Sequence, residues 1–232
     1  SPSNFVNLNP DVITEAIKTN GQSLIDGFQN LTSDLAKGRI TMTDESAFTL
    51  GENIAVSEGS VVFRNHLFEL IQYKPTTETV HQRPLLIVPP CINKFYILDL
   101  QPENSFVKWC VDQGNTVFLI SWANTTPECS HIGWDEYVKD GILEATRVVK
   151  EITSEKKLNA VAWCIGGTIL SSALAVMQKK RDSSIGSATL LTTLLDFSEP
   201  GDLGVFLNEE EVDLRAVQIE KDGVMSGKNL SL

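Results

Sequence analysis

The sequence lacks several features that would identify whole classes of protein. No stretch approaches the roughly 20 consecutive apolar residues that a membrane-spanning helix requires. Residues 1–9 contain no basic segment followed by an apolar core, which is the pattern of a secretion signal. Basic residues are also scarce, because 19 Lys and Arg stand against 30 Asp and Glu and give a net charge of −11. Such a charge repels nucleic acids and anionic membranes, so neither is expected as a partner.

The four cysteines, at positions 91, 110, 129 and 164, form no metal-binding or disulfide pattern. The sequence has no C-x-x-C, and no Cys/His pair stands at the spacing of zinc ligands. Disulfide frameworks are typical of small secreted domains. We therefore expect free thiols in a reducing cytoplasm and no metal.

What is present is the composition of a folded domain. Hydrophobic residues make up 42% of the chain and charged residues 21%, both close to the average for globular proteins. A length of 232 residues suits one domain of ordinary to large size, or at most two small ones. A predominantly disordered chain and a fibre are excluded.

The first part of the chain is predicted to be helical. Residues 9–37 have helical periodicity, which Gly21 interrupts and Gly38 ends. Residues 61–73 alternate polar residues with β-branched and aromatic ones, and this pattern predicts a pair of strands. We therefore assign residues 1–60 to an N-terminal helical segment and loop.

From residue 85 onward, short apolar runs alternate with amphipathic segments. The runs predict strands at 85–88, 116–122, 158–163 and 186–194, and the segments predict helices at 104–113, 134–153 and 168–180. Continuous apolar strands separated by helices are typical of a parallel sheet that is covered on both faces. We therefore predict a doubly wound, mostly parallel α/β core over residues 61–197. Residues 198–232, which have few large apolar side chains, are predicted to begin a lid or cap.

The most informative motif is LNAVAWCIGGTIL at residues 158–170. A predicted strand runs into Cys164, small residues stand two positions away on either side, and a helix is predicted to begin near Thr168. This is the layout of the nucleophile elbow of the α/β-hydrolase fold, with Cys in place of Ser and Ala in place of the first Gly. Such a turn would hold the thiol at a helix N-terminus, which favours the thiolate, and would aim the Ile165 N–H at a forming oxyanion.

The local pattern leaves two interpretations of Cys164 open. The thiol could be buried at an ordinary strand-to-helix turn, or it could be a nucleophile. A thiolate that attacks a thioester exchanges one thioester for another at little cost in free energy, so the acyl group stays activated. A cysteine at this position therefore favours acyl transfer from a thioester over hydrolysis of a lipid ester.

The sequence does not complete a catalytic triad in the usual order. In α/β-hydrolases the nucleophile precedes the acid and the acid precedes the histidine, whereas His66, His81 and His131 all precede Cys164. These histidines are expected to be surface or structural residues, and Asp196 is expected to belong to a turn. We therefore expect the chain to be an incomplete catalytic unit.

Six stretches together resemble poly(3-hydroxyalkanoate) polymerases, also called PHA synthases, and most closely those of class I. The stretches are TDESAF (43–48), ELIQYKPTTETV (69–80), LLIVPPCINKFYILDLQPENS (85–105), TVFLISWAN (116–124), AWCIGGT (162–168) and LLTTLLDFSEPG (190–201). The resemblance extends over essentially all 232 residues.

The resemblance implies the α/β-hydrolase fold and a set of residue roles. Cys164 matches the cysteine that, in the family, carries the monomer and the growing chain as thioesters. Ile165 and Ile92 match the residues whose backbone N–H groups would form the oxyanion hole. The family's catalytic Asp and His, and the last strands of its sheet, would lie outside this chain. No cofactor is implied, because CoA is part of the substrate.

The implied substrate is an (R)-3-hydroxyacyl-CoA, typically 3-hydroxybutyryl-CoA, and the products are the polyester and free CoA. The implied partners are the growing polyester, a second copy in a homodimer and the surface of polymer granules in the cytoplasm. This chain alone is expected to be inactive and prone to self-association. Two alternatives stay open: a cysteine-type thioesterase or hydrolase of the same fold, and a non-catalytic module that binds granules or an intact synthase.

Overall fold

The computed structural model describes residues 5, 7–201, 204 and 208–225, without the side chains of Glu45 and Glu211. The chain divides into two compact units, residues 1–49 and residues 50–232. The three-part division predicted from the sequence, with bounds at 60 and 197, stays a prediction. Part of the segment assigned to a lid or cap, namely residues 202–203, 205–207 and 226–232, lies outside the described residues.

The first unit contains the two predicted helices, α1 (Pro10–Lys18) and α2 (Gln22–Lys37). The side chain of Asn9 caps α1 by accepting a hydrogen bond of 2.9 Å from the Asp11 N–H. Gly21 separates the helices with a φ of +86°, and Gly38 ends α2 with a φ of +66°. Both are left-handed conformations that glycine adopts without steric cost, so the predicted break and the predicted end are confirmed.

The second unit is built on a six-stranded sheet. Its strands are β1 (Gly59–Arg64), β2 (Phe68–Tyr73), β3 (Leu85–Val88), β4 (Val117–Trp122), β5 (Leu158–Trp163) and β6 (Ile185–Leu191). Their order across the sheet is β1-β2-β4-β3-β5-β6. Strands β3 to β6 pair in parallel, while β1 and β2 are antiparallel to their neighbours. The parallel strands therefore end at one common edge, where the loops after β3, β5 and β6 meet.

Helices cover both faces of this sheet, as predicted. On one face, α5 (Glu144–Thr153) and α6 (Ile165–Lys179) pack against a cluster that includes Phe118 and Leu86, both fully buried. On the other face, α3 (Phe106–Asp112) packs against Ile87, Leu119 and other buried residues. Each fully buried apolar side chain of this size contributes roughly 1.5–3 kcal/mol to stability. The two clusters thus fix the sheet from both sides.

The structure corrects the regular helix predicted at 134–153. The segment is helical throughout, but a π-helical stretch, Tyr137–Leu143, separates α4 (Trp134–Glu136) from α5. Gly141 lies in that stretch against the indole of Trp122, so close that a Cβ would lie 3.0 Å from two ring carbons. A π-helical stretch of 7 residues is too short for its wider turns to change the spacing of the apolar residues noticeably. Periodicity therefore did not distinguish it from an α-helix.

Two further boundaries differ from the prediction. The last strand ends at Leu191, three residues before the predicted end at 194. A helix that the sequence did not predict, α7, spans Glu209–Asp222. Its sequence is rich in Glu, Leu, Arg, Ala, Gln and Lys, which favour helix formation, but its high charge hid that preference. Among the described helices, none combines the length and the apolar character needed to cross a membrane.

Candidate active site

A sharp turn places Cys164 between a strand and a helix. Strand β5 ends at Trp163, Cys164 has φ 52° and ψ −128°, and α6 begins at the next residue, Ile165. The Cys164 N–H donates a hydrogen bond of 2.9 Å to the Leu191 carbonyl at the end of β6. A non-glycine residue in this conformation costs of order 1–3 kcal/mol and persists only where its surroundings impose it. The backbone at Cys164 is therefore held in a strained conformation.

The predicted start of the helix at Thr168 is wrong by three residues. Gly166 and Gly167 suggested a continuing turn, but both lie in the first turn of α6. Their role is steric, because a Cβ on Gly166 would lie 2.5 Å from the Val88 carbonyl oxygen and 2.7 Å from that of Pro89. A Cβ on Gly167 would overlap the Thr193 side chain. The glycines let the helix begin directly against the neighbouring backbone.

Cys164 is exposed and lines a cavity of about 620 Å³. The cavity is lined by Pro90, Ile92, Asn93, Ile97, Leu98, Asn104, Phe106, Trp163, Cys164 and Thr192. These residues belong to the loop after β3, the start of α3 and the ends of β5 and β6. The alternative that Cys164 is a buried thiol at an ordinary turn is therefore wrong. Within this lining, Trp163 forms an edge-to-face contact with Phe106 at a centroid distance of 5.8 Å.

The two residues proposed as oxyanion donors lie close to this thiol in different ways. Ile165 is the first residue of α6, where backbone N–H groups have no partner within the helix, and no side chain caps this helix. Ile92 is 67% exposed and lines the same cavity as Cys164. The structure thus brings the loop after β3 and the turn at Cys164 together, while the roles of the thiol and of the two N–H groups stay predictions.

The other three cysteines differ from Cys164 in their surroundings. Cys91 is half-buried, and burial, with a smaller contribution from the charge of Cys164, raises its pKa. Cys110 is buried, which raises its pKa to about 11. Cys129 is half-buried, and its Sγ lies 3.7 Å from the Thr126 hydroxyl. Since the thiolate is the reactive form of cysteine, burial makes Cys91 and Cys110 poor nucleophiles at neutral pH.

Comparison with known proteins identifies the family. A family model described as "Poly-beta-hydroxybutyrate polymerase (PhaC) N-terminus" matches residues 1–110. The poly(3-hydroxyalkanoate) polymerase subunit PhaC of Cupriavidus necator is 50% identical over 215 residues, which is 93% of this chain and 36% of that polymerase. The chain belongs to the poly(3-hydroxyalkanoate) polymerase family. The PhaC subunit of Rhizobium etli is 44% identical over 236 residues, which is 100% of this chain and 37% of that polymerase.

The chain spans little more than a third of the length of these two polymerases. Among solved structures, carboxyl esterase 2 from the mycorrhizal fungus Tuber melanosporum has a TM-score of 0.52 at 11% sequence identity. The match covers 73% of this chain and 57% of the esterase. At that identity the likeness concerns the fold alone, and it confirms the predicted α/β-hydrolase-type architecture.

Among the described residues, none of the three histidines lines the cavity that contains Cys164. His66 Nε2 lies 3.8 Å from Asp140 Oδ2, and His81 Nε2 lies 3.1 Å from the Gln113 carbonyl. His131 Nδ1 lies 3.0 Å from the Glu128 carbonyl. Each histidine therefore has a local partner, and its expected surface or structural role stays a prediction.

Asp196 follows the end of a strand, where some α/β-hydrolases carry their catalytic acid, and it forms a local turn. Its carboxylate accepts a hydrogen bond of 2.9 Å from the Ser198 N–H. Hydrogen bonds from Ser198 hold the pKa of Asp196 below its ordinary value. The carboxylate thus has the turn role expected from the sequence. No group of three or more potential metal ligands comes together within the described part of the chain.

The sequence did not indicate the anchors of the loop after β3. The indole Nε1 of Trp122 donates a hydrogen bond of 2.9 Å to the Pro89 carbonyl. In the segment after β6, the Leu194 carbonyl accepts a hydrogen bond of 2.9 Å from the Thr168 hydroxyl of α6. Both bonds join segments that are distant in sequence, so no local sequence pattern predicts them. They fix the loops that surround Cys164.

Proposed function

We propose that this chain carries the acyl-accepting part of a polymerase that joins (R)-3-hydroxyacyl groups from CoA thioesters into polyhydroxyalkanoate. The observation that carries the proposal is an exposed Cys164, held at positive φ in the elbow and lining a cavity that Ile92 also lines. Membership of the poly(3-hydroxyalkanoate) polymerase family supports the same reaction class. We propose 3-hydroxybutyryl-CoA as the preferred monomer.

In the first step, the Cys164 thiolate attacks the carbonyl carbon of the CoA thioester. The carbonyl oxygen becomes an oxyanion, which the N–H groups of Ile165 and Ile92 would stabilise. The bond between the carbonyl carbon and the CoA sulfur then breaks, and the CoA thiolate leaves and takes up a proton. The product is a Cys164 thioester, close in free energy to the thioester that was consumed.

In the second step, the 3-hydroxyl of another hydroxyacyl group attacks the Cys164 thioester. An ester bond forms, the bond between the carbonyl carbon and Cys164 Sγ breaks, and the hydroxyl proton passes to a base. The cavity residues offer no histidine or carboxylate for that proton, so the base would have to come from outside this set. Release of CoA and growth of the polyester follow from repetition of both steps.

The acylation step can be tested directly. The full gene product is incubated with 3-hydroxybutyryl-CoA and analysed by intact-protein and peptide mass spectrometry. We expect one hydroxybutyryl group on the peptide that contains Cys164 and release of one equivalent of CoA. The variant Cys164→Ala should give no adduct, whereas the matched control Cys129→Ala should react like the unsubstituted protein.

Other outcomes would decide among the alternatives. Free 3-hydroxybutyrate and CoA, released over many turnovers without polymer, would identify a thioesterase instead. Intact, folded protein that neither forms an adduct nor releases CoA would contradict the enzyme proposal and leave a non-catalytic module.

Location and assembly are also proposals. We propose that the protein acts in the cytoplasm at the surface of polymer granules and assembles as a homodimer, as the family relationship suggests. Sedimentation of the purified protein, and its recovery with isolated granules, test these two points separately. A monomer at all concentrations, or absence from the granule fraction, would refute the corresponding part.

A further inference from the structure

Asp99 is a carboxylate in an unusual position, because its exposure is only 1%. Aspartate is almost never fully buried unless other groups compensate its charge. The Asp99 Oδ1 accepts hydrogen bonds of 2.6 Å from the hydroxyls of Ser57 and Ser105, and Oδ2 accepts one of 3.3 Å from the Ser57 N–H. Burying a carboxylate costs several kcal/mol after relaxation, so these donors must hold a defined geometry.

The backbone of Asp99 takes part in the same junction. Its carbonyl oxygen accepts a hydrogen bond of 2.8 Å from the Ala55 N–H, and its N–H donates one of 2.9 Å to the Tyr96 carbonyl. Ser105 in turn caps α3, because its hydroxyl accepts a hydrogen bond of 2.8 Å from the Lys108 N–H. One buried residue therefore joins three segments, which are 55–57, the loop after β3 and the start of α3.

The segments joined by Asp99 form one wall of the Cys164 cavity. Ile97 and Leu98, which directly precede Asp99, line the cavity, and so do Asn104 and Phe106 on either side of Ser105. Ile92 stands earlier in the same loop, whose beginning is fixed by the hydrogen bond from Trp122 to the Pro89 carbonyl. The stretch that contains Ile92 is thus held at both ends, by Trp122 at one and by Asp99 at the other.

We propose that Asp99 is a positioning residue for the acyl transfer to Cys164. It touches no reacting atom. It acts by holding the loop after β3 so that the Ile92 N–H and the apolar wall face the thiol. This inference rests on the proposed function, because it assigns Asp99 a task in the acylation step.

The test compares two reactions of the same thiol in the full gene product. Alkylation of Cys164 by iodoacetamide needs only an accessible thiolate, whereas acylation by 3-hydroxybutyryl-CoA also needs the oxyanion donors. Removal of a single oxyanion donor costs about 10²–10³-fold in other enzymes. A loosened loop should cost less, so we expect Asp99→Ala to slow acylation roughly 10–100-fold and to leave alkylation unchanged within about twofold.

Two further variants make the result specific. Asp99→Asn should restore part of the acylation rate, because its amide oxygen still accepts from both serine hydroxyls, whereas its NH2 group replaces the oxygen that accepts from the Ser57 N–H. Asp182→Ala is the matched control: Asp182 also accepts hydrogen bonds from a serine, Ser184, but it lies outside the cavity lining. We expect Asp182→Ala to leave both rates unchanged. If Asp99→Ala does not fold, Ser57→Ala and Ser105→Ala each remove one donor and should slow acylation alone.

The outcomes separate this inference from the proposed function. If the unsubstituted protein does not acylate Cys164, the proposed function fails and the role of Asp99 falls with it. If the unsubstituted protein acylates and Asp99→Ala acylates equally fast, only the positioning role is overturned. An equal loss of alkylation and acylation in folded Asp99→Ala would also overturn it, because the residue would then serve the fold around Cys164 in general.

Discussion

The contact between α6 and the loop after β3 predicts a clear effect for Gly166→Ala. The added Cβ would lie 2.5 Å from the Val88 oxygen, 2.7 Å from the Pro89 oxygen and 2.9 Å from the Pro89 carbonyl carbon. All three atoms are backbone, so no side chain can rotate away. Overpacking of this kind costs about 1–3 kcal/mol, and here it outweighs the gain of up to about 1 kcal/mol that alanine brings to a helix.

We therefore expect Gly166→Ala to lower the free energy of unfolding by roughly 1–3 kcal/mol, measured by urea denaturation. In a chain of 232 residues, that loss lowers the Tm by about 2–12 °C. It should also slow acylation of Cys164, because the shifted loop carries Ile92. Gly27→Ala is the matched control: Gly27 lies within α2, and a Cβ at this position would meet no atom within 4 Å, so stability should stay equal or rise. Unchanged stability and acylation in Gly166→Ala would refute the steric argument.

Three other predictions concern the core and the thiols. Phe118→Ala should lower the free energy of unfolding, measured by urea denaturation, by about 3–5 kcal/mol, because the ring is fully buried in the cluster that packs against α5 and α6. Burial raises the pKa of Cys110 from 9.0 to about 11, so the folded state favours the protonated thiol; its contribution to stability is complete below pH 9 and is lost as the pH rises through 11. Urea denaturation between pH 8 and 11 should therefore show a steeper loss for the unsubstituted protein than for Cys110→Ala. At pH 7.5, about one equivalent of iodoacetamide should modify Cys164 before Cys91, and peptide mapping that finds Cys91 modified first would contradict this order.

Most of the fold could be predicted from the sequence, because its strands and helices depend on local patterns of apolar residues. The apolar runs at β3, β4 and β5 are buried on both faces, and such runs are visible without any knowledge of contacts. The elbow was visible for the same reason, since Cys164 directly follows a strand and a Gly-Gly pair begins two residues later. The start of α6 was misplaced because glycine usually interrupts helices. Here it is required by a backbone contact with Val88 and Pro89, which no local pattern reveals.

The environment of the site could not be predicted in the same way. Ser57 is 42 residues from Asp99 in sequence, and Ser105 is 6 residues from it. No motif joins them, and the junction exists only because the sheet brings their segments together. The bond between Trp122 and Pro89 spans 33 residues and is equally invisible in the sequence. Positions that depend on tertiary hydrogen bonds between loops are therefore the part of the site that sequence patterns do not reveal.

The loop after β3 is constrained by three sets of contacts, two at its beginning near Pro89 and one at Asp99. The Gly166 backbone contact limits how far the loop can approach the elbow, and the Trp122 indole fixes the Pro89 carbonyl. The Asp99 junction fixes the far end. Oxyanion stabilisation requires donors placed within about half an ångström of their working position, so a free loop could not supply one. Since Cys164 itself belongs to the elbow, loosening any one constraint should slow acylation and leave the exposure of the thiol unchanged.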